Sequence, residues 1–141
     1  MSIELDVQWP YVFTKFDGVQ TIAELDAYIA RMDAEVHRRK QPYVGVSFLK
    51  KYSRDKEVVE RMRKWMAATE TITRERCVAI AMVNSSTGFR FLLSTIFVIQ
   101  RMPCPYDVCA TFDEAIAFVQ KQAGLRNLKL AAPRRPWPDL P

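Results

Sequence analysis

The chain has 141 residues, the usual length of one domain and long enough to bury most of its apolar surface. Apolar residues make up 49% of it and charged residues 26%, an ordinary globular composition. The net charge of +5 is modest, so it excludes little by itself and the placement of the charges matters more.

In chain order, Ile3, Leu5 and Val7 alternate with polar residues and predict a strand with one apolar face. Trp9-Pro10 interrupts it, because proline cannot donate to a ladder. Tyr11 to Phe16 resumes as a strand and Asp17-Gly18 is a turn signal, so a hairpin or two strands bent at the proline is expected. Thr21-Ile22-Ala23-Glu24 is a capping box, in which the threonine hydroxyl accepts from the N–H three residues on and the glutamate reaches back. Ile22, Leu25, Ile29, Met32 and Val36 then form one apolar stripe of a helix that ends near Lys40, with Pro42 beyond.

Tyr43 to Leu49 is a β-prone run of the length of a buried strand. A polar loop, Lys50 to Arg54, leads to a helix from about Asp55 with Val58, Val59, Met62, Trp65 and Met66 as its apolar positions. Thr71 to Thr73 weakens that helix, and Cys77 to Val83 reads as a second buried strand. Continuous apolarity in both strands predicts cover on both faces, as parallel strands of an α/β layer require. Asn84-Ser85-Ser86-Thr87-Gly88 is a loop of short polar side chains, followed by an apolar helix over Gly88–Met102 that Pro103 and Pro105 stop. Tyr106 to Ala110 is a short strand expected near an edge. Thr111-Phe112-Asp113-Glu114 is a second capping box, its helix carries Ala115, Ile116, Val119 and Ala123 on one face, and Gly124 fits the residue that ends it.

The elements read β-β-α-β-α-β-α-β-α. They predict an α/β fold with a small mixed, mostly parallel sheet, helices on both faces and the N-terminal strand antiparallel at an edge. No repeat or composition shift marks a second domain: residues 1–125 form the domain, and 126–141 are a Pro/Arg-containing extension expected to be disordered or loosely docked.

His37-Arg38-Arg39-Lys40 sits at a predicted helix end, where cations meet the negative end of the macrodipole. Neither it nor Arg134-Arg135 is interleaved with exposed aromatics or set along one groove-reading helix, so no nucleic-acid partner is expected. The N-terminus has no secretory pattern, and the longest apolar run, Phe89 to Ile99, falls short of the roughly 18 residues of a spanning helix. Cys77, Cys104 and Cys109 are odd in number and lack a CxxC pair, which points to free thiols and a cytoplasmic location.

The chain lacks the side chains of the common chemistries. Its one histidine, His37, stands among cations with no obvious carboxylate from a strand end, so a Ser-His-Asp or Cys-His centre is not expected. One histidine and scattered cysteines do not make an ordinary zinc site, and neither GxGxxG nor GxxxxGK[ST] occurs; no catalytic residue, metal or cofactor is expected.

Three pieces of sequence resemble the STAS-domain superfamily, in particular its bacterial SpoIIAA-like branch, which is grouped with the lipid-binding Sec14 type. They are the early strand with Asp17-Gly18 and the Thr21 helix, the YVGVSFL strand with the helix containing Arg63-Lys64-Trp65, and the closing IFVIQRMPCPYDVCATFDEAIAFV. The resemblance spans about residues 3 to 123 and implies a non-enzymatic regulatory module. Anti-sigma-factor antagonists of that superfamily carry a phosphorylatable serine at the start of the helix after the central strand. Ser53 lies near that place, but basic residues crowd it where small ones are expected, and Ser53 or Asp55 serves equally as a helix cap.

Two features keep a functional reading. Asn84, Ser85, Ser86 and Thr87 leave the carboxyl end of a strand and enter a helix, where free N–H groups and hydroxyls suit either an anion or an N-cap. Phe89, Phe91, Leu92, Leu93, Ile96, Phe97, Val98 and Ile99 wrap most of a helix, more than one packed face consumes. The surplus, with Phe91, Phe97 and Ile99 as candidate interface residues, can cover the tail, form a homodimer seam or line a pocket for an acyl chain. The expected function is an interaction module acting by protein–protein contacts, as a homodimer or with a regulatory partner; the alternative is a carrier of a small apolar ligand or lipid.

Overall fold

A computed structural model of the chain describes residues 2–18, 20–50, 55–99 and 101–141. Strands β1 (Ile3–Gln8) and β2 (Tyr11–Phe16) form the expected hairpin, Ile3 opposite Phe16 and Gln8 opposite Tyr11, with a cis Trp9–Pro10 peptide at the turn. Strands β3 (Tyr43–Leu49), β4 (Cys77–Val83) and β5 (Tyr106–Cys109) add in parallel to β2. The sheet has five strands in chain order, with the antiparallel β1 at one edge and the short β5 at the other.

The helix starts are set by the residues the sequence singles out. The Thr21 hydroxyl accepts from the Glu24 N–H at 3.1 Å and starts α1 (Ile22–Glu35). The Asp55 carboxylate accepts from Glu57 and Val58 N–H and starts α2 (Lys56–Ala68), while Ser53 lies outside the described residues. The Thr111 hydroxyl accepts from Glu114 N–H at 3.2 Å at the head of α5 (Phe112–Leu125). In both boxes the glutamate reaches further back than its capping partner: Glu24 accepts from Ser2 N–H and Glu114 from Ala110 N–H.

Three boundaries differ from expectation. Thr71 to Thr73 does not fade into a loop but belongs to a separate helix, α3 (Glu70–Arg76). The break falls at Thr69, whose hydroxyl donates to the Trp65 carbonyl at 2.9 Å and competes with the backbone ladder. The apolar helix α4 covers Thr87–Ile99, with Arg101 and Met102 beyond it. Gly124 is helical, and Asn127 takes the left-handed conformation (φ +58°) that ends α5. The Leu128 N–H donates to Ala123 O and the Asn127 N–H to Gly124 O, the paired bonds of a Schellman stop.

That stop turns the chain back across the sheet. On one face, Tyr11 and Phe13 of β2, Val44, Val46 and Phe48 of β3, and Ala79, Ala81 and Val83 of β4 pack under α5. Leu128, Leu130, Trp137 and Leu140 pack on the same cluster, so the extension is docked rather than loose. The Tyr11 hydroxyl donates to Ala131 O at 2.7 Å, the Phe112 N–H donates to Pro141 O at 2.8 Å, and Trp137 stands edge-on to Phe48 with centroids 5.9 Å apart. Lys15 bridges Glu4 at 3.0 Å and lies over the Trp137 ring. The opposite face buries Val12, Phe16 and Tyr43 under Leu25, Met32, Val36, Val58 and Met62 of α1, its exit and α2. Helices therefore cover both faces, as expected.

Replacing Trp137 by alanine removes the largest side chain of the tail from this cluster. Urea unfolding should show a loss of about 2 kcal/mol, less than for a fully buried tryptophan because Trp137 is half-buried. An unchanged midpoint would mean that the tail contributes no packing.

Candidate functional site

The loop at the carboxyl end of β4 is held by its own polar groups. The Asn84 amide donates to Leu49 O at the end of β3, and its Oδ1 accepts from Ser86 N–H at 2.7 Å. The Asn84 N–H donates to Cys109 O, so one residue joins the ends of three neighbouring strands. Ser86 Oγ accepts from Phe89 N–H at 3.3 Å, and Arg90 donates to Asn84 O and to the Thr87 hydroxyl. Asn84, Ser86 and Thr87 are thus brought together with their side-chain groups engaged, while Ser85 is exposed. This geometry supports the capping reading of the loop over the anion reading.

Beyond the loop, α4 lies against β5, with Phe97 packed edge-on to Tyr106 at 5.2 Å. Phe89, Arg90, Leu93 and Phe97 face the sheet, and none is fully buried. The other arc is open to solvent: Phe91 is 75%, Val98 77% and Ile99 79% exposed, and Leu92 and Ile96 are exposed beside them. A helix turns 100° per residue, so these five share one wide face, broken only by Thr95. Of the candidate interface residues, Phe91 and Ile99 sit on that face, and Phe97 anchors the helix to β5.

His37 has an acidic neighbour on the preceding helix rather than at a strand end. Its Nδ1 lies 2.9 Å from Asp33 Oδ1, one helical turn back on α1. The ring stacks on Trp65 of α2 at 5.7 Å, and the Trp65 indole N–H donates to the same Asp33 oxygen. The imidazole side chain is 6% exposed, which makes the group a tie between helices rather than an open dyad. The i, i+4 spacing of Asp33 and His37 was the available signal.

A concavity of about 410 Å³ lies where the tail crosses β1, between Glu4, Asp6 and Gln8 and the Arg134–Trp137 segment. Gln8 exchanges two hydrogen bonds with the Arg134 backbone across it, so it is a seam between packed segments. Among the described residues, no three His, Cys, Asp or Glu side chains are grouped to hold a metal ion. No helix among them is long and apolar enough to cross a membrane.

The sequence reading left the cysteines scattered, yet two of them meet. Cys77 opens β4 and Cys104 lies just ahead of β5, and both belong to one buried cluster with Tyr43 and Val36. The parallel register, Ile80 opposite Tyr106, sets the residues just ahead of β5 beside the entry of β4, an offset of three from the strand starts. Burial pushes the Tyr43 hydroxyl well above the usual tyrosine range in this cluster. Cys109, at the far end of β5, is pushed up to about 12 by burial and by the Asp107 and Glu114 carboxylates.

Compared with family models, curated proteins and solved structures, the chain finds no match.

Two substitutions test these contacts. Asn84→Asp keeps the acceptor for Ser86 and removes the donor to Leu49; a loss of about 1–2 kcal/mol in urea unfolding is expected, against none for Ser85→Ala. Asp33→Ala leaves both His37 and Trp65 without their shared acceptor and should cost about 1–3 kcal/mol by the same assay.

Proposed function

We propose that the chain is a non-enzymatic regulatory module that acts by protein contact, and that α4 is the contact surface, paired with α4 of a second copy. The open face of Phe91, Leu92, Ile96, Val98 and Ile99 carries this reading. A monomeric soluble protein rarely leaves so continuous an apolar patch in water. Five such side chains offer a few hundred Å², on the scale of the core of an interface that buries about 800 Å² per partner. No charged residue stands between Phe91 and Ile99, so the face has no pattern with which to select an oppositely charged partner. A two-fold axis lets the same patch meet itself and closes the assembly. The resemblance to SpoIIAA-like modules supports the same reading, since such modules work by what they touch.

Native mass spectrometry of the purified chain should give a species of twice 16.4 kDa. Phe91→Glu combined with Ile99→Glu should return it to a folded monomer whose unfolding midpoint matches that of the wild-type chain diluted until it dissociates, because both side chains are in solvent in the single chain. Phe97→Ala should instead lower the midpoint, by about 1–2 kcal/mol, because it unpacks Tyr106. A wild-type monomer would overturn the self-association. A monomer that retains a co-purified apolar molecule, displaced by the same double variant, would establish the carrier reading in its place.

A further inference from the structure

We propose that Cys77 and Cys104 form a dithiol site that a hydroperoxide oxidises to an intramolecular disulfide, with Cys104 as the attacking thiol and Cys77 as the resolving one. The site stands on where the fold puts these two side chains. Cys77 is the first residue of β4, and Cys104 sits between Pro103 and Pro105 in the connection from α4 to β5. The Ile80 N–H donates to Pro105 O at 2.9 Å, which fixes that connection against β4 next to Cys77. The two thiols adjoin within one buried cluster and are both free.

Their surroundings divide the roles. The Cys77 thiol is turned inward, donating to Ala79 O at 3.4 Å. Its contact with Cys104 and its burial hold it above the ordinary thiol range. Cys104 is held below that range by its contact with the Cys77 thiol and by the Arg126 guanidinium, against the effect of burial. Cys104 is also the less buried of the two, 9% exposed against 1% for Cys77, and Arg101 and Pro105 near it are exposed. The thiol with more thiolate character and more access to solvent is the one oxidised first, and a neighbouring thiol then resolves it. Cys109 lacks both conditions, since Asp107 lies 3.8 Å from its sulfur and disfavours the thiolate.

The reaction balances without a cofactor. The Cys104 thiolate attacks one oxygen of the hydroperoxide, the O–O bond breaks, and the leaving alkoxide or hydroxide takes up a proton. Cys104 is then a sulfenic acid. The Cys77 sulfur attacks the Cys104 sulfur, the S–O bond breaks, and the departing hydroxide leaves as water with the Cys77 proton. Two thiols lose two electrons and the hydroperoxide gains them; an external dithiol reverses the change by exchange. The product ties the entry of β4 to the α4–β5 connection.

The test uses the full chain, reduced and then treated with a small excess of hydrogen peroxide. Intact mass should fall by about 2 Da, two of three alkylatable thiols should be lost, and dithiothreitol should restore both. The same two-thiol loss should persist in Cys109→Ser and vanish in Cys104→Ser. In Cys77→Ala, dimedone should trap a sulfenic acid on Cys104. Retention of all three thiols in the wild-type chain, a disulfide between two chains, or direct conversion to sulfinic acid would overturn the proposal. Because the first readout is on the wild-type protein, a variant that fails to fold leaves it falsifiable.

Discussion

The fold depends on the aromatic stack centred on Phe13. This side chain is 0% exposed and has Tyr11, Phe48 and Phe112 as ring neighbours at 5.7, 6.5 and 6.1 Å. It lies in β2 on the face that α5 covers incompletely. A helix is about 10 Å wide and neighbouring strands are about 4.8 Å apart, so one helix shields two or three strands of five. α5 sits over β4, with β3 and β5 on either side, and the rings of β2 need another cover. Trp137, Leu128 and Leu130 provide it, which is why the extension must return over the sheet.

The same argument of width explains why α4 is exposed. α1 and α2 occupy the other face over β1 to β4, and α4 is left with β5, a strand of four residues at the edge. Tyr106 pairs with Ile80, so its ring points to the α1/α2 side and meets Phe97 there. So small a platform cannot bury a helix whose apolar residues run round most of its circumference. What is surplus to the fold is then free for another molecule, and this is the physical basis of the interaction reading.

Much of this was legible in the residues. Thr21, Asp55 and Thr111 are caps because their acceptors lie two or three residues from the donors they satisfy, a distance that sequence spacing reports directly. The strands of the centre were legible from continuous apolarity, and the edge position of β5 from its shortness. The rest was hidden for two reasons. Asn127, not Gly124, ends α5 because asparagine also tolerates the left-handed region, and glycine drew attention away from it. The docked tail, the Cys77–Cys104 contact and the open face of α4 depend on partners distant along the chain, or on their absence. Local spacing carries no information about these. The stripe on α4 was visible as an excess of apolar residues, but its inward side, Phe97, could be assigned only once β5 was in place.

The docking of the tail has a kinetic consequence. Its bonds from Arg134 to Gln8 and from Ala131 to Tyr11 join positions 126 and 120 residues apart. Closing so long a loop is entropically costly until the parallel strands between have assembled, and non-local contacts of this kind slow folding. Loop entropy therefore favours closing the seam only after the strands it spans have paired. Interactions made late govern how fast the native state is lost rather than how fast it is reached. The tail acts as a latch on the lifetime of the folded molecule.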